Sequence, residues 1–310
     1  MKTISVIVPC YNEEETINLY YDAMTKVKNE KNKFNFEYWF IDDGSSDKTL
    51  KVLKELQAKH SDEVHYISFS RNFGKEAALY AGINEVKGEY TAVMDVDLQD
   101  PPEMLEEMFD TLEEGEYDCV GTARMDREGE NPIISFFSNS FYGVINKMSQ
   151  TKIVSGARDF RLMTRQMVDA ILSMTEYNRF SKGIFSWVGF KTKYLPYKNR
   201  KRVAGETSWN FWKLFKYAVT GIIDFSERPL MFATWMGVFF SGISILAIIG
   251  IIIRKLVFPL SSVTGWASMV SIILLIGGIQ LLSIGILGEY IGKIFLEVKR
   301  RPIYIVKEKK

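Results

Sequence analysis

The residues best suited to chemistry stand together in Asp95-Val96-Asp97-Leu98-Gln99-Asp100, followed by Pro101, Pro102 and Glu103. Two carboxylates one residue apart, an amide and a third carboxylate are gathered directly behind the apolar run Tyr90–Met94. Hard oxygen donors of this kind suit Mg2+ or Mn2+, which take few protein carboxylates and complete their shell with phosphate oxygens and water. Such a site would serve a nucleoside diphosphate. Taken alone, the same residues equally describe an acidic turn before a helix that starts at the prolines, with Glu103 in its first turn. The rest of the chain has to separate the two.

The elements that would position this cluster follow from hydrophobic patterning. Thr3–Pro9 is a short, mostly β-branched run suited to a central parallel strand. A helical pattern then opens at Cys10–Glu14 and carries Ile17, Leu19, Tyr20, Ala23, Met24 and Val27 on its apolar face. After a polar loop at Lys28–Asn35, a second strand, Phe36–Ile41, delivers Asp42-Asp43-Gly44-Ser45-Ser46-Asp47. Ser46 or Asp47 suits the N-cap of the helix Lys48–Lys59. Val64–Phe69 is a third strand, followed by Ser70–Lys75 and an alanine-rich helix through Asn84, and Tyr90–Met94 is the fourth. Strands alternating with helices predict a doubly wound, mostly parallel α/β sheet. In such sheets ligands lie beyond the C-terminal ends of the strands, which brings Asp42, Lys75 and Asp95–Asp100 to one rim.

Helix Pro102–Leu112 and a fifth strand, Tyr117–Thr122, follow. Ile133–Met148 is aromatic and weakly charged, and suits either the membrane interface or a helix packed on the sheet. Val154–Met163 places charges beside a glycine turn ahead of helix Thr164–Ser173, and the aromatic stretches Phe180–Phe190 and Lys193–Pro196 read as strands. Charge is unevenly spread. The near-neutral total of +1 hides an acidic body of net −5 over residues 1–225 and a basic end of net +6 over residues 226–310. No nucleic-acid partner is expected. Cys10, Cys119, His60 and His65 have no zinc spacing, and neither a disulfide nor a signal peptide is expected.

The C-terminal third is built for lipid. Lys198–Arg202 is a dense basic run, and Ser208–Thr220 is an amphipathic helix mixing tryptophan and lysine, as at a bilayer interface. Leu230–Ile253 and Trp266–Leu287 are uncharged runs, each long enough to cross a hydrocarbon core of about 30 Å as a helix. Glycines in the second run allow close helix approach, and a homo-oligomer is expected. Lys and Arg crowd the outer flanks, with only Arg254 and Lys255 between the runs, so the globular part and both termini are expected in the cytoplasm, on an inner (plasma) membrane. The predicted divisions are residues 1–196 catalytic, 197–229 juxtamembrane, 230–288 a transmembrane hairpin, and 289–310 a basic tail. Within the tail, Pro302–Val306 is a short strand that could pair with a sheet edge of its own chain or of a neighbour.

Together Val8–Glu13, Ile41–Ser45, Arg71–Lys75, Asp95–Glu103 and Gly156–Leu162 resemble the family-2 glycosyltransferases of GT-A fold. Within them the chain is similar to the polyprenyl-phosphate branch, which holds dolichol-phosphate mannose synthase and bactoprenol glucosyltransferases. The resemblance covers nearly the whole chain. It implies Pro9, Tyr11, Glu13 and Asp42 around the base and ribose, Lys75 and Asp95 at the nucleotide-sugar diphosphate, and a divalent ion on Asp95, Asp97 and Gln99. Asp97 and Asp159 are then the carboxylates expected to carry catalysis. Arg124, Arg158, Arg161, Lys198, Arg200 and Arg202 are expected to grip the acceptor phosphate, guanidinium offering bidentate donors. Alone, Asp42 suits a helix-capping turn, Lys75 a solvated helix start, and the basic run attraction to anionic lipid.

The expected activity moves glucose from UDP-glucose to undecaprenyl phosphate, with GDP-mannose as the alternative donor. Processive polysaccharide synthases share the nucleotide half, but their Gln-x-x-Arg-Trp motif and additional spans do not occur here. An inactive nucleotide-sugar sensor would have no need of Asp42, Asp95, Asp97, Gln99 and Asp159 together.

Overall fold

The computed structural model describes residues 1–31, 33–124, 154, 156–197, 223–224, 226–257 and 265–310. The expected segments Ile133–Met148, Lys198–Arg202 and Ser208–Thr220 lie outside the described residues. The strands are β1 (Lys2–Cys10), β2 (Phe34–Asp42), β3 (Val64–Phe69), β4 (Tyr90–Val93), β5 (Cys119–Arg124), β6 (Ala157–Thr164), β7 (Thr192–Tyr197) and β8 (Val306–Lys309). They form one mixed sheet in the order β7-β5-β6-β4-β1-β2-β3-β8. The central four, β4-β1-β2-β3, are parallel, as the patterning predicts.

Among the described residues six helices cover the two faces: α1 (Ile17–Lys31), α2 (Thr49–Lys59), α3 (Lys75–Glu85), α4 (Met104–Glu113), α5 (Arg165–Leu172) and α6 (Ser181–Trp187). Alternation along β1 explains the two layers. Ile4, Val6 and Val8 pack with Tyr20, Leu53 and Met108 of α1, α2 and α4, while Ile7 packs with Ala78, Val168 and Ile184 of α3, α5 and α6. Gly82 permits the close approach of α3, since a Cβ there would lie 2.3 Å from Ile7 Cγ2.

Three departures from the sequence expectation have physical causes. The segment expected as a charged turn is strand β6, antiparallel to both β4 and β5. Its charges occupy the rim end, and the apolar residues Phe160, Leu162 and Met163 follow inside the sheet. The aromatic stretch expected as a strand holds helix α6, whose Phe180, Ile184 and Val188 fall at helical spacing. Glu76 accepts from both the backbone N–H and the hydroxyl of Ser181 at its start. The loop expected at Lys28–Asn35 is shorter, because α1 runs to Lys31 and β2 begins at Phe34.

Two long helices follow, α7 (Arg228–Val257) and α8 (Trp266–Lys299), each long and apolar enough to cross a membrane. Leu246, Leu274 and Leu281 are 70–71% exposed. These helices are therefore not the core of the globule, and such a surface needs an apolar solvent. The chain is membrane-associated. At 34 residues α8 is about 51 Å long, and its far end reaches the globule, where Glu297 accepts from the backbone N–H groups of Tyr177 and Asn178 at 2.8 and 3.1 Å. The tail then pairs with its own sheet: β8 runs antiparallel to β3 but starts only at Val306, the last residue of the expected strand Pro302–Val306, and Tyr304 stacks on Phe69 at 4.9 Å.

Candidate active site

The site is assembled from strand ends at one rim of the sheet. The register pairs Cys10 with Asp42, which sets Pro9, Tyr11 and Glu13 beside the end of β2. Asp42 is buried, and its carboxylate accepts from Ser68 Oγ at 2.6 Å and from the Ser45 backbone N–H at 3.0 Å. Tyr11 is exposed. The Glu13 carboxylate accepts from Thr16 Oγ1 at 2.7 Å. Asp43, which had no assigned role, accepts from the N–H groups of Phe73 and Gly74 at 2.6 and 2.9 Å and so fixes the loop leading to Lys75. Burial raises its pKa against the pull of those two bonds.

Lys75, the first residue of α3, lies between two carboxylates. Its Nζ is 2.7 Å from Asp95 and 2.6 Å from Asp159. The antiparallel pairing of Val93 with Arg161 explains the meeting, because continuing that register two residues past β4 brings Asp95 opposite Asp159. Burial would raise the Asp159 pKa, but Lys75, then Lys182 and Arg161, outweigh it and hold the carboxyl well below the usual range. Burial would lower the Lys75 pKa, and Asp159 and Asp95 overcome it and raise it. The pair is charged at neutral pH.

Asp97 is buried, and its Oδ1 accepts from the Gln99 N–H at 3.1 Å. Between them Leu98 takes φ +55°, a strained conformation for a residue with a Cβ and one that collects at functional turns. The Gln99 amide oxygen accepts from Arg158 Nη2 at 3.2 Å. Asp95, Asp97 and Gln99 therefore offer a hard oxygen set that fits Mg2+ or Mn2+. Among the described residues no three His, Cys, Asp or Glu side chains are grouped so as to hold an ion by themselves.

The arginines part company. Arg158 lies on the rim, with Nε donating to Tyr197 Oη at 3.1 Å. Arg161 is buried, packs on the Phe185 ring at 3.7 Å, and donates to the carbonyls of Asp159 and Arg158 at 3.2 and 2.9 Å. Its position braces the β6 backbone. The side chain of Arg124, and all of Lys198, Arg200 and Arg202, lie outside the described residues. Asp100 accepts from the Tyr197 hydroxyl, and burial raises its pKa to about 6 despite Tyr197 and Arg158. Tyr197 carried no signal in the sequence beyond its place just ahead of the basic run. Ser68 was detectable only as the polar residue near the end of β3.

The family model for Glycosyl transferase family 2 matches residues 5–172, which span every one of these strand ends but β7. The chain belongs to glycosyl transferase family 2. This family-2 transferase is 42% identical over 307 residues to the bactoprenol glucosyl transferase of Shigella phage SfX, covering 99% of both chains. It is 40% identical over 307 residues to the prophage bactoprenol glucosyl transferase homolog of Escherichia coli (strain K12), again covering 99% of both. Among solved structures, a mannosyltransferase from Pyrobaculum calidifontis in complex with GDP-Man and Mn2+ is 16% identical, covering 93% of this transferase and 86% of that chain at a TM-score of 0.49.

Proposed function

We propose that this family-2 transferase moves glucose from UDP-glucose onto undecaprenyl phosphate, inverting the anomeric carbon and giving a lipid-linked monosaccharide. The observation that carries the reading is the meeting of Lys75 with Asp95 and Asp159, beside Asp97 and Gln99, in a chain with two helices apolar enough for a bilayer. The full-length likeness to bactoprenol glucosyl transferases supports the choice of lipid and sugar. The Lys and Arg residues flanking α7 and α8 favour a cytoplasmic catalytic domain on the plasma membrane.

In this reading Asp42 accepts from an N–H of the base, beside Pro9, Tyr11 and Glu13. Lys75 neutralises diphosphate oxygens as a mobile point charge. A divalent ion on Asp95, Asp97 and Gln99 would add electrostatic stabilisation of the leaving diphosphate. A phosphate oxygen of the acceptor attacks the anomeric carbon while the bond to the diphosphate breaks, and UDP leaves with the electron pair. The acceptor is a phosphate monoester with a second pKa of about 6, by analogy with phosphoserine, so it needs no base near neutral pH. Asp159, held deprotonated, orients Lys75 and the incoming phosphate instead of removing a proton. Arg158 meets that phosphate.

The test uses purified full-length protein in detergent with radiolabelled UDP-glucose and GDP-mannose, undecaprenyl phosphate, and Mg2+ or Mn2+. Label should appear in a lipid monosaccharide from UDP-glucose and be lost on chelation. Normal transfer by Asp97→Ala would refute the mechanism, and transfer from GDP-mannose alone would replace the donor.

A further inference from the structure

The hydroxyl of Tyr197 stands where three segments of the rim meet. It donates to Asp100 and accepts from Arg158 Nε at 3.1 Å, while Arg158 Nη2 donates to the Gln99 oxygen at 3.2 Å. Tyr197 and Asp100 are 6% and 5% exposed. A carboxylate, a hydroxyl and a guanidinium that satisfy one another away from water hold each other in place. Backbone pairing does not make this link. Among the described residues β7 pairs with β5 alone, and the acidic loop follows β4, which pairs with β1 and β6. The tie from the outer strand to the loop is made by side chains. With Nε and Nη2 both engaged, the plane of the planar Arg158 fork is set.

We propose that Tyr197 is a positioning residue: anchored on Asp100, it sets the plane of Arg158 and thereby the grip of that guanidinium on a phosphate monoester beside the acidic cluster. The inference rests on the reading that the acceptor is a lipid phosphate met by Arg158. A purely structural tyrosine would make a different prediction, because its loss would weaken donor and acceptor binding alike.

The experiment measures binding of farnesyl phosphate and of UDP to the full chain in detergent by calorimetry, beside transfer from UDP-glucose to undecaprenyl phosphate. Tyr197→Phe keeps the ring that fills the site and removes one oxygen. It should weaken farnesyl phosphate about tenfold and raise the acceptor KM in step, with UDP affinity within about twofold. Arg158→Ala should weaken farnesyl phosphate at least as much, and adding Tyr197→Phe to it should change nothing further, the signature of two residues acting as one. Asp100→Ala should follow Tyr197→Phe, whereas Asp100→Asn, which retains an accepting oxygen, should stay within about threefold of wild type. Additive losses in the double variant, or parallel losses of UDP and farnesyl phosphate affinity, would overturn the inference. Binding that obeys this pattern without sugar transfer would uphold it and remove the functional reading. Transfer and binding untouched by Tyr197→Phe would do the reverse.

Discussion

Gly44 offers a direct test of how the nucleotide rim is held. Its φ is +67°, and a Cβ added there would lie 2.3 Å from the Arg71 carbonyl carbon and 2.7 Å from its Cα and O. Relieving that contact requires the two backbones to separate by about 1 Å. The left-handed conformation costs a residue with a Cβ roughly 1–2 kcal/mol, and forcing an extra carbon into packed surroundings roughly 1–3 more. Gly44→Ala should therefore lose roughly 2–5 kcal/mol of stability. The displaced segment is the loop Arg71–Gly74, which Asp43 clamps through Phe73 and Gly74 and which leads straight into Lys75. A shift of about 1 Å in a reacting group can cost about 100-fold in rate, so transfer from UDP-glucose should fall by that order. Gly115 is the control: its φ is +73°, yet nothing lies within 4 Å of its added Cβ. Gly115→Ala should lose only about 1–2 kcal/mol and keep full activity. Urea unfolding and steady-state transfer, run on both variants side by side, give the answer. Equal stability losses, or an active Gly44→Ala, would refute the reasoning.

Other perturbations probe the charges. Lys75→Met leaves Asp95 and Asp159 facing each other, and should lower transfer about 100- to 1,000-fold and also destabilise the fold at neutral pH, since the mostly buried Asp159 loses the cation that holds it ionised; steady-state kinetics and urea unfolding check both halves. The rate of transfer should rise with pH through about 6, as the acceptor phosphate ionises, and then stay level to about pH 8, because Asp159 is already ionised; an inflection near pH 7 that Asp159→Asn abolishes would contradict this. Glu63 accepts from Lys28 and Tyr21 at 2.5 Å each, and although burial opposes it, these partners depress its pKa below the ordinary 4.5. A depressed carboxylate stabilises the fold above its unfolded pKa and loses that contribution as pH falls through the folded value. Glu63→Gln should therefore destabilise by about 1 kcal/mol at pH 7 and flatten the stability curve below about pH 5, measured by urea unfolding across pH.

The nucleotide half was legible because strand, loop and helix repeat there with little interference from tertiary structure. Apolar runs, mostly β-branched in β1 and aromatic in β2, marked β1 to β4, and each ended in polar residues that topology carries to a common rim. Legibility failed where long-range contacts override local pattern. In β6 the charges of Arg158, Asp159 and Arg161 mask a strand, since Arg161 is buried only by virtue of Phe185 and two carbonyls from its own strand. In α6 the aromatic residues resemble a strand until Glu76, 105 residues earlier, receives its first N–H. Tyr197 meets Asp100 across 97 residues, a distance over which side-chain spacing carries no information. The terminal strand was foreseen as a pairing element, but its partner and register depend on where α8 delivers the chain.

That delivery has a mechanical consequence. A domain joined to a bilayer by one pliable linker sweeps a volume and can carry its reactive edge away from the surface. Here the stalk of α8 is moored twice, first by Glu297 to the amides of Tyr177 and Asn178, then by β8 along β3. Two moorings remove the freedom to swing that one would leave. The lipid, diffusing in two dimensions, must travel to a stationary rim, and the search for substrate belongs to the membrane and not to the domain.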